Sequence, residues 1–299
     1  MKTRLAALGV LLAVSLQAQP ARAASCTFDP DSATVTVTFR KEVSVRRNGD
    51  TILIKGKPCE AATVTNVDLV RFVAPHNPAA SQAVRINLTG GPFAPGATDE
   101  GDGASEIEFV VDTGAGGDGI LIKGTTEADH FVVAPGGVNL NADEESSDID
   151  VMGLGVVVYG RRGADLLSTA SARATLRGGP GDDALVGSAF GGGLFYGGGT
   201  GHDSLDYSNV ECAIEVSAMA YVFGCPIWES YDVADSVEEM IGTAYDDVIE
   251  GSTENEVLRG RGGDDFLHGR RGRDILDGGA GTDTCEGGGG GDTLIRCEA

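Results

Sequence analysis

Acidic side chains recur in this sequence at a fixed spacing, and they are its main candidates for chemistry. From Gly242 the chain divides into nine-residue units: GTAYDDVIE, GSTENEVLR, GRGGDDFLH, GRRGRDILD, GGAGTDTCE and GGGGGDTLI. Glycine opens each unit. An acid holds the sixth place (Asp247, Glu256, Asp265, Asp274, Asp283, Asp292), and Ile249, Leu258, Leu267, Leu276, Cys285 and Leu294 fill the eighth. A less regular array upstream supplies Asp165 in GRRGADLLS, Asp183 in GGPGDDALV and, after a two-residue slip, Asp203 in GGTGHDSLD. Between them TASARATLR and GSAFGGGLF keep the apolar eighth residue, Leu176 and Leu194, without the acid. GTTEADHFV, with Asp129, is a looser copy.

The period implies an architecture. Its glycine half can take left-handed backbone angles and turn tightly, and its second half is a short strand with one inward apolar residue. Such a unit cannot bury its apolar side alone, so copies must stack. Two units make one coil, and successive coils lie ~4.8 Å apart. Asp247, Asp265 and Asp283 then form one column, and Glu256, Asp274 and Asp292 the opposite one. Stacked carboxylates repel unless a cation neutralises them. Carboxylate and glycine-turn carbonyl oxygens, without histidine or thiolate, form a hard-oxygen set that suits Ca²⁺ better than Mg²⁺. Several ions are expected, each between two turns.

These units resemble the RTX, or haemolysin-type, calcium-binding nonapeptide GGxGxDxUx. GGPGDDALV, GGTGHDSLD and residues 260–295 match it best. The resemblance implies a parallel β-roll with Ca²⁺ held in the glycine turns. It also implies that the sixth-position acids are side-chain ligands: Asp165, Asp183, Asp203, Asp247, Asp265, Asp274, Asp283 and Asp292. The chain departs from the pattern in places. Glu256 replaces Asp, and its longer side chain is expected to displace the ion. Val156, Ala174 and Gly192 face the Asp165–Asp183 column, which predicts a metal-free edge there.

The whole-chain features agree with an exported protein. Residues 1–23 read as a secretory signal: Lys2 and Arg4, an apolar stretch from Leu5 to Leu16, then Ala21-Arg22-Ala23. Exported RTX proteins usually lack a cleaved N-terminal signal, so this is a further departure. Six cysteines in a chain bound for an oxidising compartment point to disulfides, with the local pairs Cys26–Cys59, Cys212–Cys225 and Cys285–Cys297 expected. Of 299 residues 46 are glycine, and the formal net charge is −23. That charge excludes nucleic-acid binding through phosphates, which needs a basic face. Beyond the first twenty residues no apolar run reaches ~18, so no transmembrane helix is expected.

The expected fold is all-β: a parallel β-roll, or β-solenoid, of Gly-rich nonapeptides with an N-terminal β cap region. Strands are expected at Thr34–Phe39, Thr51–Ile54, Thr63–Val70, Ala83–Leu88 and Ile107–Val111, from alternation and from the Pro, Gly and Asn between them. The signal is followed by a cap region (24–110), a degenerate roll with partial calcium sites (111–206), a projecting disulfide-containing insert (207–241) and a regular calcium roll (242–299). Residues 60–160 are read as decayed repeats of the same solenoid. His130, His202 and His268 sit at non-ligand positions of repeat units, His76 lies in a Pro/Asn loop, and neither HExxH nor GxSxG occurs. The expectation is therefore a secreted, extracellular calcium-binding protein, not an enzyme, with a structural, adhesive or matrix role and a cell-surface or matrix partner. An exported hydrolase that uses the roll as a folding aid is the alternative.

Overall fold

The structure is a computed structural model that describes residues 24–74, 81–94, 96–97, 107–112, 119–134, 136–140, 147–150, 155–170, 174–188, 195–217, 220–224 and 233–298. The signal segment, His76, Gly192, Leu194, Cys225 and Trp228 lie outside these residues.

The chain is all-β, and its strands pair mostly in parallel. A 14-stranded sheet runs the length of the molecule, from Ser25–Asp29 to Thr293–Ile295. A 9-stranded sheet faces its first part and a 5-stranded sheet its last part. No helix among the described residues is long and apolar enough to cross a membrane. Most turns of chain lay one strand on the long sheet and one opposite, so inward residues form columns, although His130–Val133, Gly137–Asn139 and Ile149–Asp150 follow one another on the long sheet. Val45, Ile86, Ile122, Val158, Leu176 and Tyr196 are successive partners on one side. Leu167, Leu185, Leu205, Met240, Leu258 and Leu276 are successive partners on the other. All are buried. The eighth-position residues Leu176, Ile249, Leu258, Leu267 and Leu276 thus form the wall expected of them, while Cys285 is half-buried and Leu294, in the last coil, is exposed.

The described strands between residues 60 and 160 continue the solenoid, as the recurring short strands predict, except that Gly137–Asn139 pairs antiparallel with both His130–Val133 and Ile149–Asp150. Thr34–Thr38 pairs in parallel with Leu69–Val73, and that strand with Glu108–Asp112. The expected strand at 63–70 is displaced. Asn66 accepts the Thr63 N–H and donates to the Ala61 carbonyl, which fixes a turn there, and the strands flank it at Lys57–Thr63 and Leu69–Val73. The first end of the roll is closed by antiparallel strands, Ser25–Asp29 on one sheet and Thr51–Ile54 with Lys57–Thr63 on the other. Cys26–Cys59 ties the two edges together. At the other end Cys285–Cys297 fastens the last coil.

Part of the segment expected to project, 207–241, is built into the roll. Ile214–Ser217 pairs in parallel with Val248–Glu250, Val233–Asp235 with residues 195–197, and Glu239–Ile241 with Ser204–Asp206. Apolar Val216 and Met240 give these strands an inward side chain, and that draws them into the wall. Cys212 is disulfide-bonded.

Candidate metal centre

Every strand of the long sheet from His130–Val133 to the C-terminus along the roll is preceded by an acid. The order is Asp129, Asp165, Asp183, Asp203, Glu238, Glu256, Asp274, Asp292. A second column, Asp247, Asp265, Asp283, precedes three strands of the 5-stranded sheet, Val248–Glu250, Phe266–His268 and Thr284–Glu286. The two columns lie on opposite edges, as the 18-residue coil predicts.

Each acid is held the same way. The backbone N–H of Asp165 donates to Asp183 Oδ1 at 2.8 Å, and that of Asp183 to Asp203 Oδ1 at 2.8 Å. Asp247 donates to Asp265 and Asp265 to Asp283, at 2.8 and 2.9 Å. Glu256 donates to Asp274 and Asp274 to Asp292, at 3.0 and 3.1 Å. One carboxylate oxygen therefore points at the neighbouring coil and is satisfied. The other is not. Oδ2 of Asp165, Asp183, Asp203, Asp265, Asp274 and Asp283, and Oε2 of Glu256, are buried and accept no hydrogen bond. A buried anionic oxygen without a partner costs free energy. Burial, above all, pushes the carboxyls of Asp165, Asp265 and Glu256 up to about 7 and that of Asp203 up to about 6. Those of Asp183, Asp247 and Asp274 rise for the same leading reason. At neutral pH the groups near 7, Asp165, Asp265 and Glu256, are in large part protonated unless a cation holds them.

The glycine that opens a unit makes room for this oxygen. A Cβ on Gly260 would lie 2.0 Å from Asp265 Oδ2, and one on Gly178 2.1 Å from Asp183 Oδ2. The turns stack closely: a Cβ on Gly281 would lie 1.8 Å from the Gly263 carbonyl oxygen. Among the described residues no three His, Cys, Asp or Glu side chains come together as a metal cluster. A cation here must take most of its ligands from peptide carbonyls, which suits Ca²⁺. The residues present fit that ion through the orphaned carboxylate oxygens.

Of the eight acids singled out from the sequence, Asp165, Asp183, Asp203, Asp274 and Asp292 share one column, and Asp247, Asp265 and Asp283 the other. Asp292, in the last coil, lies at the outer end of its column as the acceptor for Asp274. Val156 and Ala174 are buried strand partners opposite Asp165 and Asp183, so that upstream edge is hydrocarbon as expected. Glu256 does not leave its column: it donates to Asp274 and accepts from Ser252, and its longer arm is accommodated by the serine turn. Two further members escaped the sequence reading. Glu238 accepts the Asp203 N–H at 2.8 Å, and Glu298 accepts the Asp283 N–H at 2.6 Å. Glu238 was findable. The nonapeptide frame extends back to Val233 and places Glu238 sixth and Met240 eighth, but no glycine opens that unit. Glu298 lies beyond the last full unit and is set by the final turn alone.

Residues 159–191, 241–276 and 259–294 match the family model of the RTX calcium-binding nonapeptide repeat, in four copies. A search of curated proteins finds no match. The matched segments contain Asp165, Asp183, Asp247, Asp265, Asp274, Asp283 and Asp292 of the two columns.

Proposed function

We propose, for a chain that carries RTX calcium-binding nonapeptide repeats, that Ca²⁺ between adjacent turns folds and stiffens its β-roll outside the cell. The observation that carries this reading is the buried, unpartnered carboxylate oxygen repeated from coil to coil along both edges. Bound Ca²⁺ supplies positive charge that makes these oxygens tolerable at neutral pH. Asp165, Asp183, Asp203, Asp265, Asp274 and Asp283 offer the carboxylate ligands, and the stacked glycine turns offer carbonyls. Extracellular calcium is high enough to fill sites of ~10⁻⁴–10⁻³ M.

The product is a secreted structural element, adhesive or matrix-forming, that works without catalysis. The expected result is a gain of β-type circular dichroism when millimolar calcium replaces EDTA. An unchanged spectrum with no heat of calcium binding overturns the reading. Calcium-dependent hydrolysis of casein, ester or glycan substrates would overturn its non-catalytic part.

A further inference from the structure

Two of the turns satisfy their acid from within. In GTTEAD the Thr125 N–H donates to Asp129 Oδ2 at 2.7 Å and the Thr125 hydroxyl to Oδ1 at 3.1 Å. In GTAYDD the Thr243 N–H donates to Asp247 Oδ2 at 2.6 Å and its hydroxyl to Oδ1 at 2.9 Å. In both, the hydroxyl oxygen also accepts an N–H two residues on, from Glu127 at 3.1 Å and from Tyr245 at 3.0 Å. Ile214 adds an N–H to Asp247 Oδ1 at 2.9 Å, so both oxygens of this buried carboxylate are bonded.

The glycine-rich turns cannot do this. In several of them the second residue (Gly179, Gly199, Arg261, Gly279) extends the strand, and its backbone is committed to the ladder with the next coil. Arg161 donates its N–H to the Gly178 carbonyl at 2.7 Å, and Gly179 is registered over Gly199 and Arg261 over Gly279. With no donor in their own turn, Asp165, Asp183, Asp203, Asp265, Asp274 and Asp283 keep Oδ2 bare. Ser252 gives an intermediate case. Its N–H and hydroxyl both go to Glu256 Oε1, and Oε2 stays unpaired.

We propose that Thr125 and Thr243 stand in for the cation at Asp129 and Asp247, so these two turns close without metal. Calcium demand is then confined to the turns without a threonine at their second position, the Ser252 turn included. Both threonine turns lie where a new run of acids begins: Asp129 directly before Asp165, and Asp247 at the head of Asp265 and Asp283. The first turn of a run has a glycine-rich turn on one side only. The threonine clasp gives each run a preformed first coil on which metal-bound coils can build. This rests on calcium being the ion of the glycine-led turns.

The test counts bound calcium on the full chain by titration calorimetry. D247N is expected to bind as many ions as the unsubstituted chain, and D265N at least one fewer. Hydrogen exchange on the unsubstituted chain gives a second measurement that survives poor folding of either variant. Protection over 260–265 should rise about tenfold or more on adding calcium, and that over 242–247 much less, because its carboxylate is already bonded. If D247N loses as many ions as D265N, or the two segments gain equal protection, the inference is overturned while the calcium reading stands. If the unsubstituted chain takes up no calcium, both fall.

Discussion

The two ends of this solenoid solve the same stacking problem with different materials. In the first part the coils are long. Ile86, Ile122 and Val158 are successive partners, and Asp129 and Asp165 are neighbours 36 residues apart. Five-residue strands there bury two side chains each, and Phe39, Phe72, Phe93 and Phe109 pack with ring centroids 5.1–6.5 Å apart. In the last part a coil is 18 residues, and a three-residue strand buries one leucine. A narrow coil removes less hydrocarbon from water, and hydrophobic stabilisation scales with that area. The narrow coils instead carry carboxylates on both edges. On the proposed reading, this difference makes the thin part of the β-roll depend on an ion that the thick part does not need.

Removing the ion should separate the two parts most sharply. In EDTA at neutral pH, residues 239–298 are expected to lose hydrogen-exchange protection while 34–88 keep theirs. Loss of both together would show that the wide coils depend on the narrow ones. Phe109→Ala attacks the other side of the contrast. It empties a fully buried site in the aromatic cluster and should cost ~3–5 kcal/mol in denaturant unfolding, with or without calcium. A cost that appears only with calcium bound would make the aromatic cluster part of the metal-dependent unit.

Gly260→Ala should be milder, about 2 kcal/mol, and should weaken calcium binding, because its Cβ would meet Asp265 Oδ2 and the Gly278 carbonyl oxygen. Gly155→Ala, where a Cβ has nothing within 4 Å, is the matched control and should be close to neutral. Equal effects would remove the carboxylate as the reason for the opening glycine. The gentlest perturbation is pH. Asp165, Asp265 and Glu256 sit at about 7 when folded without metal, well above their unfolded values, so the metal-free roll is favoured while they are protonated. That contribution is fully present below about pH 4 and is lost as pH rises through about 7. In EDTA, β-type dichroism should therefore be greater at pH 5 than at pH 8. With calcium the dependence should reverse, because protons compete for the same oxygens. The same pH trend in both conditions would contradict the assignment of these acids.

Much of the narrow part was legible because its period is local. Glycine, acid and leucine at fixed places in nine residues carry the turn, the column and the wall. The wide part was less legible, since its coils reach 36 residues and their lengths vary, so no frame survives to be read. Asp68 and Asp148 nonetheless precede strands of the long sheet, as the repeat acids do, and accept N–H groups from Ala97 and Leu140. The sheet thus keeps its edge habit where the motif has vanished. The segment 207–241 misled because its glycines are sparse, yet Val216 and Met240 seat its strands in the wall.

The sequence by itself determined the all-β roll, the two acid columns of its regular part and the hard-oxygen character of their ligands, because these follow from residue type and a short period. Only the tertiary structure decided which oxygens are left bare. Whether a carboxylate is satisfied depends on where the second residue of its turn sends its N–H. That choice is made by the neighbouring coil: into the ladder at Arg161, and back to the acid at Thr243. It also decided that Glu298 completes its column, since this acid lies beyond the last full repeat and its partner Asp283 is only 15 residues away.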